Sequence, residues 1–338
     1  MNQYDVIIIG AGAAGLMCAL QASQRQRKVL VLEAAEKPGK KILISGGGRC
    51  NFTNFNIDST AYLSQNVHFC KSALARYTQW DFIALMDKHK LTWHEKTLGQ
   101  LFCDNKAPAV LNMLLQECAD VDIKTRTRVE KIQYKDQYLV STNHQEYQSN
   151  SLVVATGGPS MPKMGATDFG LQIAKQFGIK SLPFKPALVP FTFHQYDIDQ
   201  YFKELSGLSI DVQISCNDQS FRESVLITHR GISGPAVLQV SSYWHKGDSI
   251  AIDLLPDIDA TQWLLELQEQ RGKAELKTIL GKHFPKRLAV RLANTLLDEA
   301  LADCSLAEIK RNTLQEFASR LNHWVLFPSG TEGLRTAE

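Results

Sequence analysis

The sequence predicts an α/β fold: a Rossmann-like nucleotide-binding domain carrying an inserted small β-barrel and a helical subdomain. Three observations predict it. An apolar strand enters Gly10-Ala-Gly12-Ala-Ala-Gly15, an Ala-rich helical stretch follows, and a second strand, Lys28-Val-Leu-Val-Leu, closes on Glu33. Far downstream, Ser151-Leu-Val-Val runs into Ala155-Thr156-Gly157-Gly158. From about 191 to 255 the pattern alternates with period two, and beyond Pro256 it turns helical.

The first motif has the parts needed to hold a dinucleotide. Gly10 permits a tight turn, and Gly12 leaves room for a pyrophosphate at the amides of Ala13 and Ala14 that open the helix. Gly15 lets that helix lie close on the sheet. Glu33, followed by Ala34, is placed to accept hydrogen bonds from an adenosine ribose, and its charge disfavours the extra phosphate of NADP. A glycine-tight strand–helix turn without ligand is the alternative.

The next stretch separates NAD from FAD. Lys40-Lys41-Ile-Leu-Ile-Ser45-Gly46-Gly47-Gly48-Arg49-Cys50-Asn51 stands where a nicotinamide enzyme starts its next helix. Three consecutive glycines expose backbone N–H groups, and the flanking cations suit a pyrophosphate or the electron-rich edge of a reduced flavin. A flexible surface loop with a basic flank is the other reading, which the Ile-Leu-Ile entry and Arg-Cys-Asn exit oppose. Ala155, Thr156, Gly157 and Gly158 return the chain close to the same cofactor. Lys124-Thr-Arg-Thr-Arg-Val129 alternates as a strand and brings the main chain of Val129 towards an adenine.

Together these segments resemble the BaiN/YhiN-type bacterial flavoproteins, a family of NAD(P)/FAD-dependent oxidoreductases. The matching residues are Gly10-x-Gly12-x-x-Gly15, Gly46-Gly-Gly-Arg-Cys-Asn51-x-Thr53-Asn54 and Thr156-Gly-Gly-x-Ser160-x-Pro162-x-x-Gly165. Pro186-Ala-Leu-Val-Pro190 and Thr228-His-Arg-Gly-Ile-Ser-Gly-Pro-Ala236 complete the set. The resemblance implies FAD as the cofactor and a nucleotide-binding domain with a β-plus-α insert. Two departures accompany it. Thr167-Asp168-Phe169-Gly170 stands where the family has Gly-Asp-Gly. The family's chains also continue for several dozen residues beyond Glu-Gly-Leu-Arg335, and that segment is expected to close over the flavin.

Composition limits the remaining classes. The chain has 338 residues, 44% of them hydrophobic, and a formal charge of +2, so net electrostatics demand neither nucleic acid nor membrane. Its seven cysteines are scattered without a C-x-x-C pair, which suits reduced thiols in a cytoplasm and removes disulfide-reductase chemistry. The N-terminal apolar run is too short for a signal segment, and no stretch approaches a membrane span. No second Gly-x-Gly-x-x-Gly follows a strand, so NAD(P)H is expected to dock only transiently as co-substrate.

The expected organisation is an FAD domain over 1–190, a β-barrel-like insert over 191–255, a helical insert over 256–324, and the start of a return to the FAD domain over 325–338. Helices are expected at 69–90, 107–119, 166–178, 261–270, 274–280, 285–301 and 305–323, with a hairpin at 91–102. His229, before a Gly-Ile-Ser-Gly-Pro turn, is the candidate catalytic proton donor, with a structural turn residue as the alternative. Arg49 and the Gly46–Gly48 amides are candidates for steadying the reduced ring, with Arg49 as a phosphate partner or helix cap the alternative. Cys50 reads as a small buried filler. His89 and His94 lack a completing ligand, so no metal is expected. Lys282, Lys286, Arg287 and Arg291 read as a solvated helix face.

The function read from this is an FAD-dependent oxidoreductase of the bacterial cytoplasm, using NAD(P)H to reduce an unsaturated or carbonyl-bearing small organic substrate. Nucleic acid is not expected as a partner. A tRNA-modifying flavoprotein and a non-catalytic FAD-binding protein are the alternatives.

Overall fold

The computed structural model describes residues 2–297 and 300–337. They form two compact units, Met1–Pro159 with Lys163–Pro183, and Ser160–Pro162 with Phe184–Glu338.

The first unit runs β1 (Asn2–Ile9), α1 (Ala13–Ser23), β2 (Val29–Leu32), α2 (Lys40–Ile44), β3 (Asn51–Asn54), α3 (Lys71–Arg76), α4 (Gln79–Lys88), β4 (Trp93–Glu95), β5 (Gln100–Cys103), α5 (Lys106–Glu117), β6 (Asp122–Lys124), β7 (Val129–Tyr134), β8 (Tyr138–Thr142), β9 (Glu146–Val154) and α6 (Phe169–Gln176). The six-stranded sheet is ordered β6-β2-β1-β9-β8-β7. Its first four strands are parallel, while β8 and β7 join antiparallel.

The apolar runs of β1 and β2 are buried on both faces, as parallel strands require. Ile8, Val29 and Val31 pack with Leu16 and Leu20 of α1 and Met113 and Leu114 of α5. Ile7, Ile9, Leu30 and Leu32 face the other way, against Val140, Tyr147 and Ile173. The chain leaves β1 for β2 on one side and returns to it through β9 on the other. The carboxyl ends of these strands therefore meet at a topological switch point, where α/β sheets bind ligands.

A second sheet, β3-β5-β4, follows the glycine loop. Alternation along β4 gives it two different faces. Trp93 joins Phe52, Phe55, Phe82 and Trp80 in linked ring contacts on one face. His94, opposite Phe102 in register, occupies the other.

Two expected elements of this unit are divided. The 69–90 helix is two helices because Tyr77 is extended and Thr78 starts α4 afresh, forming a capping box with Asp81. The strand expected through 124–132 breaks between β6 and β7. There Arg126 takes φ +53 and its N–H donates to the Ala35 carbonyl at 2.8 Å.

The second unit contains β10 (Phe191–Thr192), α7 (Gln195–Asp197), β11 (Ser209–Cys216), β12 (Gln219–Thr228), β13 (Gly231–Ser233), α8 (Pro235–Ser241), β14 (Ile250–Asp253), α9 (Ala260–Arg271), α10 (Leu276–Leu280), α11 (Lys286–Leu292), α12 (Arg311–Asn322), β15 (Trp324–Leu326) and β16 (Gly330–Thr331). Its strands form one antiparallel sheet, β15-β14-β11-β12-β13-β10-β16, whose end strands are not paired to each other among the described residues. The expected small β element is thus an open sheet. Val212, Ile214 and Ile227 of that sheet share one core with Leu264, Leu288, Leu314 and Phe317 of the helices.

Residues 325–337, expected as the start of a return to the first domain, are grouped with this unit. Here β15 pairs with β14, β16 pairs with β10, and Met161 N–H donates to the Leu334 carbonyl at 2.9 Å. The 285–301 helix is α11 followed by a π-helical turn at Ala293–Leu297; Asp298 and Glu299 lie outside the described residues, as does Glu338. No helix among the described residues is long and apolar enough to cross a membrane.

Candidate functional site

Three loops converge at the carboxyl ends of β1, β2 and β9. Gly10 takes φ +105, and a Cβ there would lie 2.4 Å from the Ala155 carbonyl oxygen. At Gly15 it would lie 1.9 Å from the Gly10 carbonyl oxygen, so helix and turn touch through backbone. Gly12 differs: its φ is −81°, and an added Cβ meets nothing within 4 Å. No side chain caps α1, and Ala13 and Ala14 are exposed at its first turn. Uncapped amides with a positive helix end, on an open surface, are chemically suited to an anion.

The Ala11 peptide ties the loops together. Its N–H donates to Glu33 Oε2 at 2.8 Å, and its carbonyl accepts from Gly39 N–H at 2.9 Å. Glu33 Oε1 accepts from Ala35 N–H at 2.8 Å. Each carboxylate oxygen keeps a further lone pair, so the group is both oriented and able to accept a hydroxyl. The Glu33 carbonyl accepts from Thr127 N–H at 2.8 Å, which brings the segment leading to Val129 alongside Glu33 and Ala34. Ala155 N–H donates to the Ile9 carbonyl at 2.9 Å, and Lys41 Nζ reaches the Gly158 carbonyl at 3.5 Å, placing Thr156 and Gly157 beside the first turn. A Cβ on Gly157 would also meet open space.

The glycine loop is a tight left-handed turn. Gly46, Gly47, Gly48 and Cys50 all have positive φ, and Cys50 N–H donates to the Ser45 carbonyl at 2.9 Å. A Cβ on Gly46 would strike the Phe102 ring at 2.7 Å, whereas one on Gly47 meets nothing. Cys50 is buried, and desolvation, with Cys103 beside it, pushes its thiol up to about 11. Asn51 begins β3 opposite Phe102.

Arg49 folds back on its own loop, Nε 3.4 Å from the Gly46 carbonyl oxygen and its guanidinium 5.7 Å from the Phe102 ring centre. Lys96 Nζ lies 5.5 Å from the same centre. Sequence reasoning missed Phe102 and Lys96, because only the pairing of β5 with β3, and of β4 with β5, brings them to the loop. His94 stacks on Phe102 and pairs with Asp104 at 2.6 Å. Hydrogen bonds from His94 and Thr92 hold that carboxyl below the usual range.

His229 belongs to the second unit. It is exposed at the tip of the two-residue turn between β12 and β13, where Thr228 pairs with Gly231. Arg230 beside it donates to Glu332 at 3.1 Å, and Arg335 joins the same carboxylate. A Cβ on Gly231 would lie 2.3 Å from the Phe191 carbonyl oxygen, and one on Gly234 would lie 2.6 Å from that of Ser224. Much of this motif is therefore demanded by strand packing. Arg287 and Arg291 donate to the carbonyls of Glu204 and Lys203, so the face expected to be solvated partly closes a helical segment.

The HI0933-like protein Rossmann domain family model matches residues 4–316. A protein of Escherichia coli named ribosomal RNA dihydrouridine synthase is 48% identical over 100% of this chain and 84% of its own length. A Haemophilus influenzae protein of the same name is 47% identical, again over 100% of this chain, and 85% of its own. The 3-dehydro-bile acid delta(4,6)-reductase of Clostridium scindens is 26% identical over 98% of this chain and 84% of its own. The two nearly half-identical relatives overturn two expectations, a small organic substrate and the absence of a nucleic-acid partner. The first expectation leaned on the family resemblance, and the second on a net charge of +2 and the lack of a basic stripe, neither of which reports on a local basic face.

Proposed function

The chain belongs to the HI0933-like Rossmann family, and from that premise we propose that it is an FAD-dependent ribosomal RNA dihydrouridine synthase of the bacterial cytoplasm. The observation that carries this reading is 48% identity, along the whole chain, to a protein so named.

FAD, when bound and reduced by NAD(P)H, supplies the hydride that saturates the C5=C6 bond of a uracil. The residues present fit that cofactor: open space at Gly12 and Gly157 admits phosphates, and the Gly12, Ala13 and Ala14 amides face them. Glu33, oriented by Ala11 and Ala35, would receive the adenosine ribose, and the main chain at Val129 would hold the adenine. Lys41, Ser45, the Gly46–Gly48 amides, Arg49 and Asn51 would hold the flavin and its phosphates, with Cys50 as a buried filler of the loop and Ala155 to Gly158 as further support. His229 is kept as the candidate proton donor on its chemistry alone: its imidazole is exposed at the tip of its turn and suited to give a proton to a uracil carbon.

The test is anaerobic incubation of the protein with FAD, NAD(P)H and ribosomal RNA lacking the modification, followed by mass spectrometry of the nucleosides. Dihydrouridine in the RNA is the expected product. Flavin turnover on small enones with none in the RNA would overturn the reading.

A further inference from the structure

Two cations share one aromatic ring beside the glycine loop. The Arg49 guanidinium and Lys96 ammonium lie 5.7 and 5.5 Å from the Phe102 centre, and neither forms an ion pair among the described residues. The carboxylate on this sheet face, Asp104, is already bonded to His94. A ring quadrupole at an exposed site holds a cation only weakly, worth about 0.5–1 kcal/mol, so the Lys96 ammonium keeps its donors for a stronger partner. A phosphate oxygen is such a partner. Phe102 also packs under Gly46, so the cations stand at the rim of the open loop, on the sheet face opposite the Phe52–Trp93 aromatic cluster.

We infer that Lys96 is a one-point clamp on an RNA backbone phosphate, beside the Arg49 assigned above to the flavin and its phosphates, seating the strand whose uracil meets the flavin. This rests on the reading above and assigns Lys96 a positioning role. The anion it takes is a phosphate, which an RNA phosphodiester or the FAD pyrophosphate supplies; the placement of Lys96 at the end of β4, beyond the loop, favours the RNA.

The experiment compares FAD-loaded wild type with Lys96→Gln and Lys96→Arg, titrating a fluorescein-labelled oligoribonucleotide of ribosomal sequence by anisotropy across a salt series. Lys96→Gln is expected to weaken binding about two- to fivefold at low salt and to reduce the log–log salt slope by about 0.7, one phosphate contact on a single strand. Lys96→Arg should restore the slope, and FAD content should match wild type in both. An unchanged slope overturns the inference. So does loss of FAD with RNA binding intact, which would assign the pair to the cofactor. If the wild type makes dihydrouridine while Lys96→Gln binds RNA normally, the clamp alone fails; if the wild type neither binds nor modifies RNA, the functional reading fails with it.

Discussion

In the second unit, a Cβ added to Gly231 would sit 2.3 Å from the Phe191 carbonyl oxygen, and one on Gly234 would sit 2.6 Å from that of Ser224. In the first unit, the same addition at Gly12, Gly47 or Gly157 meets no atom within 4 Å. Gly47 and Gly157 still answer to positive φ, but Gly12 does not. Neither backbone geometry nor neighbouring atoms demand glycine at Gly12. In the second unit Gly231 and Gly234 close strand against strand; the first keeps at least Gly12 for something outside the chain. The Thr228–Ala236 segment is the more distinctive motif in sequence, yet its glycines serve packing, and its exposed chemistry reduces to His229.

The sharpest break is steric. Gly15→Ala and Gly231→Ala are each expected to cost about 3 kcal/mol, roughly 6–12 °C in Tm for a unit of this size, measured by thermal unfolding. His229→Ala should leave Tm unchanged while slowing dihydrouridine formation about a hundredfold in single-turnover assays; an unchanged rate would leave the whole motif to packing. Gly12→Ala should shift stability by less than about 0.5 kcal/mol while weakening FAD binding about tenfold, read by flavin titration. If it instead unfolds the protein as Gly15→Ala does, the contrast between the two kinds of glycine collapses.

The smallest effect is alkaline: burial raises thiols in both units, Cys216 of the second in direction and Cys50 and Cys118 of the first most clearly. Burial pushes the Cys50 and Cys118 thiols of the first unit up to about 11, from an ordinary value near 9. A thiol pKa raised by folding contributes stability that is fully present below pH 9 and lost as pH rises through 11. Alkaline melts should therefore show the first unit weakening above pH 9, with Cys50 resisting alkylation at neutral pH.

The strand–turn–helix–strand pattern closing on Glu33 is readable because each part is local: apolar runs, glycine spacing and a terminal acid lie within thirty-odd residues. What the sequence hides is what long-range pairing assembles. Phe102 reaches the glycine loop through β3–β5 pairing, Lys96 follows through β4–β5 pairing, and Arg291 meets the Lys203 carbonyl from 88 residues away. The break at Tyr77 was also obscured, because the helical pattern continues across it and only the Thr78–Asp81 box restarts the helix. A nucleic-acid partner is not legible for a different reason: Lys282, Lys286, Arg287 and Arg291 read as a solvated face, and no basic stripe stands out along the chain.

The strand order carries one last consequence, for synthesis. On one side β1 pairs with β2, made soon after it; on the other it pairs with β9, Ile9 opposite Val154. At roughly 5–20 residues per second, a nascent β1 waits on the order of ten seconds for that partner. Through that interval Ile7, Ile8 and Ile9 present an unfilled edge next to the growing chain's exit, a span in which holdase chaperones have their best chance to bind.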